Sequence, residues 1–245
     1  MILEVCTEGV QMSMAAEKAG ATRLELCASL AQGGLTPSYG TLEMICKHVN
    51  IPVHVMIRPR AGDFMYSDEE FETMMADVKV ALRMGVEGVV FGILDADGMI
   101  DRERCTKLIE AAGPMKKVFH RAFDMSADPY KSFIDLQELG FNVLLTSGRR
   151  QTAVEGIEVI RQLVIRNKSD MEIMAGSGVS PSNAARLASI GVNALHFTCK
   201  KSAFGSMKYF NRELQSIGSN QGDEYALELF DEQKFNAILD AVQQF

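Results

Sequence analysis

Tryptophan is absent from the 245 residues, and basic residues are outnumbered, 25 Lys and Arg against 32 Asp and Glu. The net charge is −7 and the pI about 5.2. A general binder of nucleic acid or of an anionic membrane needs a basic face, so neither is an expected partner. No apolar run approaches the roughly 18 residues of a membrane span. The first residues enter a strand pattern that contains Glu4, which does not suit a signal peptide. The five cysteines, Cys6, Cys27, Cys46, Cys105 and Cys199, are odd in number and widely scattered, so a disulfide framework is not expected. A reducing, cytoplasmic location is. A strand-linked GxGxxG, a Walker A loop and GxSxG are missing, which leaves dinucleotide, ATP and serine-hydrolase readings without support. CxxC pairs and HExxH, the short zinc spacings, are missing too.

What is present is a large apolar fraction, 47%, with 15 methionines that read as adaptable core filling. Strand and helix patterns alternate along the chain. Strands are predicted over 2–6, 23–27, 53–58, 88–92, 117–121, 143–147, 172–176 and 194–198. Helices are predicted over 10–19, 39–49, from a capping box at Ser67 to 84, then 101–112, 129–139, 153–167, 181–190 and 231–242. Eight such units in one chain of this size predict parallel strands closed into a single (β/α)8 TIM barrel. An open doubly wound sheet is the alternative. No linker interrupts the pattern, so 1–245 reads as one domain. Its core spans 1–200, and a polar C-terminal extension with a final helix spans 201–245.

Barrel strands send one parity toward the helices and the other toward the axis. The bulky apolar parity includes Leu3, Val5, Leu24, Leu26, Val53, Val55, Val89, Phe91, Phe119, Ile173, Leu195 and Phe197. The opposite parity is thereby forced inward: Glu4, Cys6, Arg23, Glu25, Cys27, His54, Arg58, His120, Met174, Gly176, His196 and Thr198. Polar groups there are costly unless paired. They gather toward the C-terminal strand ends, where barrel enzymes carry their sites. His54 comes early in its strand and reads as a satisfied core histidine.

Four groupings carry candidate chemistry. His120, in FHRAFD, is an acid–base candidate that Asp124 or Glu25 would orient, at an end that also collects Arg58 and His196; a buried polar network is the structural alternative. Arg58 and Arg60, in MIRPR, suit a carboxylate or phosphate, unless Arg58 neutralises Glu25 or Glu4. Ser147 and Gly148, with Gly176, Ser177 and Gly178, form small-residue loops after strands six and seven that let backbone N–H groups approach an anion; simple tight turns would look the same. Cys6 and Cys27 share inward parity on adjacent strands, and two close thiolates suit Cu(I) or Zn. Two small buried residues would look the same.

LEVC, RLELCASLAQGGLTPSYG, MIRPRAGDFMYS, GVVFGILDADGMID, FHRAFDM, LLTSG and GSGV occur here in the order seen in the copper homeostasis protein CutC family. The chain resembles that family over residues 1–198. The resemblance implies a TIM barrel, a cytoplasmic setting, a role in copper tolerance, and copper binding through the positions matching Cys6 and Cys27. One departure concerns the eighth strand: some relatives carry a Cys directly after its histidine, where this chain has Phe197, with Cys199 two further on.

Two function classes follow. One is a copper-handling protein holding Cu(I) at Cys6 and Cys27. The other is an enzyme of isomerase, epimerase or aldol type acting on a small anionic metabolite, a sugar phosphate or a carboxylate. There Glu25 and His120 would move protons, Arg58 would hold the anion, and the glycine loops would cradle it. No lysine lies late on inward parity, which argues against Schiff-base chemistry. Self-association as a homo-oligomer such as a dimer is compatible with the barrel, and no residue pattern fixes the state.

Overall fold

Strand parity governs the architecture. β1 (Ile2–Glu8), β2 (Arg23–Cys27), β3 (Val53–Met56), β4 (Gly88–Phe91), β5 (Lys116–Phe119), β6 (Val143–Thr146), β7 (Glu172–Gly176) and β8 (Ala194–Phe197) pair in parallel, each with the next. β8 returns to β1, with Ile2 opposite Ala194 and Val5 opposite Phe197, so the sheet closes into a TIM barrel. The computed structural model describes residues 1–211, 213 and 223–245.

The helices of the outer ring are α1 (Gly9–Ala19), α2 (Tyr39–His48), α3 (Asp68–Met84), α4 (Arg102–Ala112), α5 (Pro129–Leu139), α6 (Ile157–Arg166), α7 (Ala184–Ala188) and α8 (Glu232–Val242). Their boundaries follow local chemistry. Ser67 and Glu70 close a full capping box on α3, and the Asp101 side chain caps α4. Glycines at positive φ end α1, α3 and α5.

Two cores result. Outward-facing Leu3, Val5, Leu24, Val55, Val89, Phe91, Phe119 and Leu195 pack beneath the helices. Inward-facing Val90, Val118, Val143, Leu145, Met174 and Ala194 fill the lumen with Cys6, Cys27 and Met56. The lumen is therefore a packed floor below a mouth.

The differences from the sequence-based expectation have physical reasons. β3 and β5 end two residues before 58 and 121. Arg58 leaves the ladder to bond Thr36, and Arg121 enters a short 3-10 helix that runs to Met125. α6 starts at Ile157 rather than 153, because Gly156 is pressed against the backbone of Ser147 and Gly148. Antiparallel β9 (Lys200–Phe204) and β10 (Ala226–Phe230) went unpredicted. They are largely exposed and lack the apolar alternation that marks a core-facing strand. The polar stretch 202–223 lies partly outside the described residues. Among the described residues, no helix is long and apolar enough to cross a membrane.

Candidate functional site

The β1–β2 register sets Glu4 opposite Arg23, Cys6 opposite Glu25, and Glu8 opposite Cys27. The inward side chains of both strands consequently meet in layers. In the lower layer the Arg23 guanidinium is ion-paired with Glu4 and, through Nη1, lies 2.9 Å from Glu172 Oε2. Lys116 Nζ is 3.8 Å from Glu172 Oε1. On the other side, His196 Nδ1 is 2.8 Å from Glu4 Oε1. A ladder of alternating charge thus runs from the half-exposed foot of the barrel, across the lumen, to the mouth. Burial pushes against ionising Glu4, yet the hydrogen bond with His196, the close His54 ring and the Arg23 charge hold its carboxyl well below the usual range. Burial likewise opposes charging His196, but the Glu25 carboxylate and the Cys6 and Glu4 contacts hold its imidazole well above the ordinary value. His54 is fully buried in this layer. Its Nδ1 lies 3.3 Å from Glu4 Oε2, and neither ring nitrogen has an aligned hydrogen bond among the described residues. It is a core histidine, as expected, but not a satisfied one: packing holds it with both ring nitrogens unbonded among the described residues.

One layer higher, Glu25 Oε2 accepts from Cys6 Sγ at 3.0 Å and from Cys27 Sγ at 3.4 Å, and lies 3.7 Å from His196 Nε2. The two sulfurs are 3.7 Å apart. Ligand atoms of Cys6, Glu25 and His196 all fall within 4.8 Å of one another. The Cys6 thiol is held well above its ordinary pKa by its contact with Cys27 and by burial, and burial pushes Cys27 up to about 12. Both are therefore thiols at neutral pH. Cys27 is roofed by the GGLTP loop: a Cβ at Gly34, whose φ is +86°, would lie 3.0 Å from the Cys27 sulfur. Only Cys6 of the pair faces the open mouth.

The mouth is a cavity of about 500 Å³. Arg58 enters it from the end of β3. Its Nη1 donates to the carbonyls of Gln32 and Gly34, and its Nη2 to that of Gly62. The ion pair with Glu25 or Glu4 that the sequence allowed does not form. Arg58 Nε has no partner among the described residues. The Phe64 ring covers both the guanidinium, at 5.0 Å, and the His120 ring, at 4.9 Å. His120 Nδ1 accepts from the Ala122 N–H, so the neutral ring carries its proton on Nε2, which is again unpartnered. Burial pushes its pKa down to about 3. The ring fits because position 92 is glycine; a Cβ there would lie 2.7 Å from Nδ1. Glu25 Oε1 joins Arg58 Nε and His120 Nε2 as an unpartnered atom on a residue that lines the mouth.

The remaining candidates fall into three places. Ser177 and Gly178 line the cavity, while Gly176 lies with its Cα face against Leu145 and His196. Asp124 and Ser147 bind each other behind the mouth: the Ser147 N–H and hydroxyl and the Arg149 N–H donate to the Asp124 carboxylate, and Arg121 pairs with it at 2.9 Å. Gly148 packs against Gly156 in the same loop knot. Arg60 lies outside the cavity, ion-paired with Glu70 at 2.6 Å and Asp63 at 3.1 Å. Sequence reasoning missed Glu172, Lys200 and Lys234. Glu172 has inward parity, a readable signal. Lys200 and Lys234 reach the rim from β9 and α8, beyond any strand end that parity could test.

The sequence model of the CutC family matches residues 1–201. A mouse protein named copper homeostasis protein cutC homolog is 41% identical over 238 residues, 97% of this chain and 88% of its own length. The human protein of the same name is 40% identical over 97% of this chain and 87% of its own. A crystal structure of a CutC protein from Streptococcus agalactiae superposes with a TM-score of 0.77 at 36% identity, covering 81% of this chain and 98% of that one.

Proposed function

The chain belongs to the CutC family, and on that premise we propose that it serves copper homeostasis in the cytoplasm by binding Cu(I) at Cys6 and Cys27. The observation that carries this reading is the 3.7 Å separation of two buried sulfurs. Thiolate–metal distances run to about 2.3 Å for zinc, so two sulfurs sharing an ion lie at most about 4.6 Å apart. The pair is therefore within bridging reach without moving a strand. Soft thiolates select Cu(I), and the Glu25 carboxylate and His196 imidazole complete a donor set beside them. His196 Nδ1 is oriented by Glu4, which leaves Nε2 directed at the thiol layer.

Both thiols carry protons when the ion is absent, so binding releases protons and the affinity rises with pH. Anaerobic Cu(I) titration against a chromophoric competitor is the test. We expect tight binding that strengthens between pH 6 and pH 8 and is lost in the Cys6→Ser/Cys27→Ser double variant. Equal affinity in wild type and double variant would end the reading.

A further inference from the structure

Copper at the thiol layer leaves three polar atoms without a role: Arg58 Nε, His120 Nε2 and Glu25 Oε1. They come from three different strand ends, and their residues are only 5%, 4% and 2% exposed. A buried polar group left without a partner is costly, so a ligand that satisfies it gains affinity. Their residues line one 500 Å³ cavity and together carry a complementary set, two donors and one acceptor. Arg58 carries a full charge, and none of its described partners is a carboxylate: three are carbonyls, and the Tyr66 hydroxyl lies close by. Lys234, half-buried and without an ion pair among the described residues, lines the same cavity, as does Lys200, held 3.3 Å from Glu8.

We propose that this mouth binds a small hydroxylated organic anion. Its carboxylate or phosphoryl oxygens sit on Arg58 Nε–H and His120 Nε2–H, and one of its hydroxyls donates to Glu25 Oε1. The carboxylate of Glu25 rejects a bare anion at that end, and a hydroxyl hydrogen satisfies it. The donors are preorganised: carbonyls fix three edges of Arg58, the Ala122 N–H fixes the His120 tautomer, and Phe64 stacks on both. Little ordering entropy is left to lose on binding. Met56 and Leu145 wall the cavity, and its volume suits a ligand of small-metabolite size. The Lys200 and Lys234 ammonium groups draw the anion toward the opening.

The experiment is isothermal titration of copper-free, reduced protein with glycerate, glycerol 3-phosphate and 3-phosphoglycerate. Succinate, inorganic phosphate and glycerol serve as the comparators that lack a hydroxyl, a hydroxylated body or a charge. We expect saturable binding of at least one hydroxylated anion, about tenfold or more tighter than any comparator. Arg58→Gln and His120→Gln should each weaken it about tenfold. Lys234→Ala, at the half-buried rim where folding is not at stake, should weaken it about threefold. Cys6→Ser/Cys27→Ser should keep it while losing Cu(I), which separates this site from the metal reading. The proposal is overturned by no saturable binding of any of the three anions up to about 10 mM. It is equally overturned by comparators binding as tightly as the hydroxylated anions, or by undiminished binding in Lys234→Ala together with whichever of the two buried variants folds.

Discussion

Gly92 and His120 show how one residue's absence positions another's chemistry. The missing Cβ at 92 lets an imidazole lie flat in the mouth, 2.7 Å from where that atom would be. The cost of enclosing the ring appears in its titration. An exposed imidazole ionises near 6.5 and the enclosed one near 3. Between those values the unfolded chain holds a proton that the folded chain refuses, so this contribution to stability falls as the pH drops below 6.5. It amounts to about 2 kcal/mol between pH 6.5 and pH 5. Urea denaturation at pH 7 and pH 5 should therefore show a steeper acid loss in the wild type than in His120→Gln; parallel losses would contradict it. Much at this scale was legible beforehand, because parity alone puts Glu25, His120, His196 and both thiols on the inward face. What parity cannot show is which inward groups spend themselves on one another. Asp124 bonds to Ser147 and Arg121 rather than orienting His120, a choice made by a 3-10 turn with no signal of its own.

Among the elements, β1 and β2 bear the charge ladder, and Arg23 is its central rung. It is nearly fully buried and touches carboxylates on two strands, Glu4 and Glu172. Removing one partner of a buried pair leaves an uncompensated charge and costs about 3–5 kcal/mol. Arg23→Gln should lower the urea midpoint accordingly at pH 7. An effect under about 1 kcal/mol would mean that water reaches Glu4. The sequence made β2, α5 and β7 legible to the residue, since strong alternation or a Pro–Gly pair bounds them. It hid the β9–β10 hairpin, whose partners are separated by the long polar stretch and bury little. It also hid the Arg23–Glu172 contact, because only closure of the ring brings β7 to the axis opposite β2.

The molecule as a whole closes twice, once by the β8–β1 ladder and once by α8. The family match ends at 201, yet Phe235, Ile238 and Val242 of α8 are buried, and the helix packs against α7 and α1. Phe235 stacks with Phe197 and Phe230, joining the last helix to the last barrel strand. A chain truncated after Lys201 strips that cover from two helices. It should lose cooperative unfolding or aggregate on expression, whereas a truncated chain with a wild-type melting curve would make α8 dispensable. Alternation of eight strand and helix patterns was enough to read the ring itself, since parallel strands with helical crossovers have few ways to close. The role of α8 as its eighth member was readable only as a final helix.

Val90, Val118, Val143, Met174 and Ala194 pack together as the floor below the mouth. A floor of that kind makes the barrel a cul-de-sac for whatever enters from above. Were both proposed guests to bind, they would depart in reverse order of arrival. An ion on Cys6 would wait for any larger visitor seated above it, so the dwell time of the metal would follow the traffic in small anions outside.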